Sequence, residues 1–149
     1  MSKQSEITAE RFNKFIEREL PFANIFNISA VEMKPESVVL CAKHSADGLR
    51  PGGTIAGPVM MGLADAALYA VVIANIGMVE LAVTTNFSIN FLRKPGPGDL
   101  YCRAKLLKLG KRLAVCEASI FSLENDEEKG KEELVAHVTG TYSIPPLPS

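Results

Sequence analysis

The sequence contains no tryptophan, only three cysteines and almost no excess of charge. Without Trp, a protein–protein contact anchored on that side chain is excluded. The cysteines, Cys41, Cys102 and Cys116, are odd in number and widely spaced. Neither a zinc site nor a disulfide framework is therefore predicted, and we expect reduced thiols, no metal and a cytoplasmic protein. The 16 basic and 17 acidic residues give a net charge of −1, which argues against a nucleic-acid-binding protein.

No apolar segment of the kind found in secretory signals occurs in the polar first ten residues, so no signal peptide is predicted. A chain of 149 residues with 47% hydrophobic and 22% charged residues has the composition of a globular protein. We expect a single domain over residues 1–149, of which 1–24 form an N-terminal helix and its lead-in.

Hydrophobic spacing along the chain changes from helical to alternating after residue 77. It predicts a short helix over 8–20, two strands between 25 and 44, and a long apolar helix from 58 to about 77. Four strands follow, over 83–91, 100–109, 113–123 and 134–144. Because short links join them, we expect these four to be antiparallel neighbours. The predicted class is α+β, with a curved antiparallel sheet wrapped around the apolar helix.

The apolar stretch 58–79 is long enough to be considered as a membrane span. Asp65 and Asn75 lie within it, and an Asp in the middle of a span costs about 2.5–3.5 kcal/mol. We therefore interpret the stretch as a buried core helix and expect no membrane association.

Asp65 is the most unusual residue of this helix. On a helical wheel its neighbours include Met61, Leu68, Tyr69 and Val72, so it belongs to no polar face. The alternative is an Asp that reaches solvent or a capping donor. An unpaired buried carboxylate is costly, however, and we predict that Asp65 has a functional role.

The start of the helix is the second candidate feature. Gly57 and Pro58 follow a Gly-rich segment, and Pro suits the first helical position. Exposed N–H groups at a helix N-terminus stabilise developing negative charge, as an oxyanion hole requires. A tight turn that simply starts a helix explains the same residues equally well.

Asp65 follows Gly57 by eight residues, which corresponds to about 12 Å along a helix. A base and an oxyanion donor must both lie about 3 Å from one reacting group. If both residues act on one bond, they come from different subunits. The hypothesis therefore requires a homodimer with composite sites.

Three stretches resemble hotdog-fold acyl-CoA thioesterases of the phenylacetic-acid-degradation branch: 52–67 (GGTIAGPVMMGLADAA), 84–91 (TTNFSINF) and 110–117 (GKRLAVCE). The resemblance implies a hotdog fold, a homodimer with a dimer of dimers as a further assembly, and hydrolysis of acyl-CoA. It implies no cofactor beyond the coenzyme A of the substrate. It also implies that Asp65 is the base or nucleophile and that the Gly57 N–H polarises the thioester carbonyl. Thr84 then helps to place water, or Thr85 if the strand register slips.

Three positions depart from the family pattern. Ala56 replaces a His, Pro58 replaces a second Gly, and Arg50 replaces an Asn found in some members. Arg50 could pair with Asp65 or bind a carboxylate on the substrate; the alternative is a solvent-facing loop residue. The missing His favours a second hypothesis, a hotdog protein that binds acyl-CoA or another apolar ligand without turning it over. A dehydratase of the same fold would need a closer His–acid pair than His44 and Asp65 offer.

Basic residues crowd the segment 93–112, opposed within it only by Asp99. Phosphates of CoA would be attracted to such a patch, although a solvated hairpin explains any single residue equally well. The turn residues are the best candidates for binding substrate: Arg93, Lys94, Lys111 and Arg112.

Overall fold

The structure, a computed structural model, describes residues 7–44, 53, 55–79, 82–95, 98–123 and 131–146. Three helices and six strands occur in these ranges. In chain order they are α1 (Ala9–Glu19), α2 (Pro21–Ile25), β1 (Ile28–Met33), β2 (Val38–Ala42), α3 (Gly57–Ile76), β3 (Val83–Phe91), β4 (Leu100–Leu109), β5 (Leu113–Leu123) and β6 (Glu132–Ser143). The predicted hotdog architecture is confirmed, because one curved antiparallel sheet wraps around the apolar helix α3.

The strand order is β1-β2-β4-β5-β6-β3. The prediction that the last four strands are consecutive neighbours is wrong for β3, which pairs with β6 at an edge of the sheet and not with β4. The backbone of the link after β3 makes hydrogen bonds to other parts of the fold. Arg93 N–H donates to Val135 O of β6 (3.2 Å), and Pro95 O accepts from Ile55 N–H before α3 (3.1 Å).

Helix α3 begins at Gly57, one residue before the predicted start, and ends before Gly77, as predicted. Gly77 has φ 86°, and its N–H donates to Ile73 O. By length and composition the helix could cross a membrane, yet 72% of its most apolar stretch is buried inside the fold. It packs so closely on β6 that a Cβ at Gly140 would lie 2.5 Å from Leu68 Cδ1. Most of the helix is buried, which explains the absence of a broad polar face; the side of its first half that carries Pro58, Met61 and Asp65 is not buried.

Helix α1 begins as predicted, with the Thr8 hydroxyl accepting a hydrogen bond from Arg11 N–H (3.1 Å). The short helix α2 is not predicted from the spacing; Pro21, which cannot continue α1, is the first residue of α2. Asn13 of α1 holds the outer edge of β1. Its amide donates to Ala30 O (3.0 Å) and accepts from Ala30 N–H (2.6 Å).

Strand β3 does not alternate strictly, although the spacing predicts that it does. A bulge lies between Thr84 and Asn86, so that Thr84 pairs with Tyr142 and Asn86 pairs with Thr141. The extra residue shifts the faces of the strand. Alternation predicts that the row containing Val83, Phe87, Ile89 and Phe91 is buried. Phe87 and Ile89 are partly buried, whereas Val83 is 53% exposed and Phe91 is 50% exposed.

Candidate active site

The Asp65 carboxylate lies on α3 at the point where the helix faces the start of β3 and the end of β6. Its Oδ1 accepts a hydrogen bond from the Thr84 hydroxyl (2.8 Å) and another from the Tyr142 hydroxyl (2.7 Å). No hydrogen bond from a described residue reaches Oδ2, and no buried side-chain oxygen in the described ranges lacks a partner. Oδ2 is therefore open to water or to a ligand.

Thr84 reaches Asp65 because of the bulge in β3. Without the extra residue, strict alternation would turn Thr84 away from the face that carries Phe87 and Ile89. The Thr85 hydroxyl donates instead to Thr141 O on the neighbouring strand (3.2 Å). Of the two threonines considered from the sequence, Thr84 is the one in contact with the carboxylate.

Tyr142 was not singled out from the sequence. Its side chain is 2% exposed and its ring packs 6.1 Å from the ring of Tyr69. Burial, and secondarily the negative charge of Asp65, raise the pKa of the Tyr142 hydroxyl, which therefore stays protonated. The signal in the sequence was a tyrosine in a buried strand position, where the hydroxyl needs a hydrogen-bond partner.

Two cavities meet at Asp65. One has a volume of about 430 Å³ and extends between α1, α2 and α3, with Phe15, Glu19 and Tyr69 on its walls. The other has a volume of about 340 Å³ and is lined by apolar residues apart from Asp65 and Thr84. Both cavities share Phe22, Asp65 and Thr84, and the rings of Phe26 and Phe87 line the second. The carboxylate thus stands at the junction of two spaces that could hold a ligand.

Gly57 lies elsewhere. It lines a separate cavity of about 440 Å³ together with Met60, Phe91, Arg93 and Lys94, and neither Asp65 nor Thr84 belongs to that wall. A Cβ at Gly57 would lie 3.8 Å from Phe91 Cζ. The first N–H groups of a helix have no partner within it. Within one chain, the expected base and the expected oxyanion donor do not share a cavity.

The idea that the cations of 93–112 are opposed only by Asp99 is wrong. Strands β5 and β6 bring acids to them: Arg93 pairs with Glu133, Arg103 with Glu132 (2.9 Å) and Lys105 with Glu117 (3.1 Å). Their hydrogen bonds to these cations lower the pKa values of Glu132 and Glu117. These acidic partners could not be predicted from the segment itself, because they come from distant parts of the chain.

The four cations expected to bind substrate lie at two ends of the sheet. Arg93 and Lys94 line the cavity of Gly57. Lys111 and Arg112 form the exposed turn between β4 and β5, and Arg112 Nε donates to Ile144 O (3.1 Å). Glu133, the partner of Arg93, and Ile144 are 11 residues apart, or about 36 Å along a strand. One chain therefore does not gather the four into a single patch.

The remaining sequence candidates do not contact Asp65 within the described residues. Arg50 lies outside the described ranges. Ala56 is the residue before α3 and has no side-chain group to cap the helix, and Pro58 is exposed. His44 lies after β2, where its N–H donates to Asp99 Oδ1 (2.7 Å), and it lines a different cavity from Asp65.

The three cysteines are buried free thiols. Burial raises the pKa of Cys41 to about 11 and that of Cys116 to about 12, so neither is a ready thiolate nucleophile. In the part of the chain that the structure describes, no group of three or more His, Cys, Asp or Glu side chains could hold a metal ion. Asp65, with its two hydroxyl donors, is the arrangement best suited to acid–base or nucleophilic chemistry.

The family model described as the thioesterase superfamily matches residues 52–129. A protein of Thermoplasma acidophilum that carries an esterase name is 27% identical over 96 residues, 64% of this chain and 67% of that protein. Among solved structures, a thioesterase-named protein of a Silicibacter species is 38% identical, with a TM-score of 0.82, over 98% of this chain and 97% of the other. A mutant form of the phenylacetic acid degradation protein PaaI of Thermus thermophilus is 26% identical, with a TM-score of 0.70, over 84% and 99% of the two chains.

Proposed function

This chain belongs to the thioesterase superfamily and is a thioester hydrolase, and we propose that its substrates are acyl-CoA thioesters. In this proposal Asp65 is the general base or the nucleophile, and the N–H of the partner's Gly57 stabilises the oxyanion. One observation carries the proposal: Oδ1 of Asp65 is held by two hydroxyl groups, while Oδ2 is left open beside two cavities.

The held carboxylate suits hydrolysis. Hydrogen bonds from Thr84 and Tyr142 hold the carboxylate in place beside the two cavities. An ionised carboxylate can take a proton from attacking water, or can attack the thioester carbonyl itself. In either case, negative charge develops on the carbonyl oxygen and needs an N–H donor.

A second subunit supplies that donor. Helix α3 runs antiparallel to β3, since Gly57 lies beside Phe91 at one end and Asp65 contacts Thr84 at the other. If β3 pairs with the same strand of a partner in antiparallel orientation, the Thr84 end of one strand lies beside the Phe91 end of the other. Asp65 then approaches the partner's Gly57, and each dimer contains two composite sites.

The two sheet edges differ in a way that favours pairing through β3. At the β1 edge, Asn13 already occupies both backbone groups of Ala30, and a bulge interrupts the strand. The β3 edge has no such cover among the described residues and exposes Val83 and Phe91. An uncovered edge with exposed apolar side chains pairs readily with another strand. We propose this edge as the dimer interface, with a dimer of dimers as a further assembly.

The same pairing explains how four separated cations could serve one CoA. In a single chain, Lys111 and Arg112 lie at the Asp65 end of the sheet, and Arg93 and Lys94 lie at the Gly57 end. Antiparallel pairing brings the first pair of one chain to the same end as the second pair of its partner. Phosphates could then contact cations of both subunits. Arg50 remains a proposed substrate contact, and the buried free thiols suit the reducing cytoplasm that we propose as the location.

The acyl group would occupy the cavities beside Asp65. The smaller one, about 340 Å³, has three phenylalanine rings on its wall, from α2, from the residue that follows α2 and from β3. Such a wall favours an apolar chain of small or medium length, including an aromatic one. The alternative function, binding an acyl-CoA without hydrolysis, is favoured by Ala56 at the position of the family's His.

The test is a thiol-release assay with acetyl-, hexanoyl-, phenylacetyl- and succinyl-CoA. Asn at position 65 keeps an oxygen for both hydroxyl donors, so the fold should persist, whereas a general base is worth about 10²–10⁴-fold in rate. Asp65→Asn should lower kcat by that factor, and Asp99→Asn, which retains an acceptor for His44 N–H, should not. Full turnover by Asp65→Asn contradicts the proposal. Ligand-dependent melting of the wild type without thiol release supports the binding alternative.

A further inference from the structure

Two hydroxyl groups converge on one oxygen of the Asp65 carboxylate, and they come from residues that face each other across two strands. Thr84 of β3 and Tyr142 of β6 are directly paired in the sheet. Their hydroxyls lie 2.8 Å and 2.7 Å from Oδ1. Because the donors sit on neighbouring strands of a hydrogen-bonded ladder, the sheet fixes the separation of their backbones.

We propose that Tyr142 is a positioning residue that fixes the orientation of the Asp65 carboxylate, so that Oδ2 alone faces the substrate. The proposal rests on the function proposed above. It assigns the reacting role to a single oxygen: Oδ1 accepts both hydroxyl hydrogens, and Oδ2 takes the proton from water or attacks the carbonyl.

The surroundings of Tyr142 suit this role. The side chain is 2% exposed, so solvent does not compete for its hydroxyl. Its ring packs against Tyr69 of α3, which limits its rotation. The hydroxyl also lies 3.0 Å from the backbone oxygen of Asp65, but the contact with Oδ1 is shorter, and the acceptor is charged. A hydroxyl has one proton to donate, and the charged oxygen is the better acceptor.

The hydrogen bond from Thr84 alone does not fix the orientation of the carboxylate in the same way. Thr84 lies next to a bulge, on a strand that gains a second neighbour only in the proposed dimer, whereas Tyr142 is buried on β6 between two strands of its own chain. The buried donor on the inner strand is the more rigid of the two. We therefore infer that Tyr142 sets the carboxylate orientation and that Thr84 completes it.

The experiment measures kcat/KM against pH for Tyr142→Phe, with Tyr101→Phe as the matched control. Tyr101 lies on β4 and stacks on Phe121, and it belongs to neither cavity wall at Asp65. We expect Tyr142→Phe to lower kcat/KM by about ten- to a hundredfold, the range for a hydrogen bond to a charged group. We expect Tyr101→Phe to match the wild type.

The acidic limb of the pH profile distinguishes positioning from a structural role. Loss of a hydrogen bond to the charged carboxylate makes its protonation easier, so the limb should move to higher pH in Tyr142→Phe. The other titratable groups on the two cavity walls are Glu19 of α1 and Tyr69 of α3, and the variant leaves both in place. An acidic limb at the wild-type position would overturn the proposal, even if activity is reduced.

A second substitution covers the case in which Tyr142→Phe fails to fold. Replacement of Tyr142 by 3-fluorotyrosine keeps the ring and makes the hydroxyl a stronger donor. The acidic limb should then move to lower pH, and no movement would overturn the proposal. These outcomes are distinct from failure of the proposed function, which would show as full activity of Asp65→Asn.

Discussion

Replacing Gly57 by proline removes one N–H and adds a ring directly before Pro58. Ala56, the residue before it, has φ −69° and ψ 145°, which is the extended conformation that a following proline requires. Gly57 itself begins helix α3, where a proline ring is tolerated and the missing N–H costs no helical hydrogen bond. The variant therefore tests the oxyanion donor, provided that the cost of a Cβ directly before Pro58 is measured separately.

Gly57→Ala is the matched control. An added Cβ would lie 3.8 Å from Phe91 Cζ, which is an ordinary van der Waals contact, and next to the ring of Pro58, a contact that the proline variant shares. The alanine variant keeps the N–H and adds a carbon, whereas the proline variant adds carbon and removes the N–H. The difference between the two variants isolates the donor.

Loss of one oxyanion donor costs about 10²–10³-fold in kcat. We expect Gly57→Pro to lose that factor in the thiol-release assay, with KM changed little, because the contact is made to charge that develops during the reaction. Gly57→Ala should keep a kcat close to that of the wild type, and the two variants should melt at similar temperatures. Equal kcat values for the proline and alanine variants would refute the assigned role of the Gly57 N–H.

Two further predictions concern substrate binding and packing. Lys94→Ala should raise KM about fivefold at low salt with kcat unchanged, and the increase in KM should shrink as ionic strength rises. Lys108→Ala, the control, should change neither KM nor kcat. A lower kcat for Lys94→Ala would contradict a role in phosphate binding. Gly140→Ala places a Cβ 2.5 Å from Leu68 Cδ1, so urea denaturation should show a loss of about 1–3 kcal/mol. In a Leu68→Ala background, the additional loss caused by Gly140→Ala should be smaller. Fully additive losses would rule out the contact with Leu68 as the cause.

Most elements of the fold follow from local sequence patterns. The limits of α3 are marked by Gly57, Pro58 and Gly77, and the lengths of β3, β4 and β5 follow from their alternation and their bounding turns. The position of β3 beside β6 could not be predicted in this way. Links of similar length close hairpins and cross over sheets, and only contacts with Val135 and with the segment before α3 decide between the two.

The site, like the fold, was predictable only where a local sequence pattern marks it. Asp65 was evident because one acid in an apolar helix violates a local rule. Thr84 was less certain, because a bulge changes which residues face inward and leaves no clear mark in the sequence. Tyr142 was missed because its partner is 77 residues away along the chain. The acids that pair with the basic segment, such as Glu132 and Glu133, were missed on the same grounds.

The most direct test of the composite site mixes two inactive chains. Asp65→Asn and Gly57→Pro would each be purified, then unfolded together in equal amounts and refolded. If each site takes Asp65 from one subunit and Gly57 from the other, half of the dimers are mixed and each of these carries one intact site, so the mixture should regain about a quarter of the wild-type activity. If both residues act within one chain, the mixture will be no more active than the separate variants, and the account of a shared site will be contradicted.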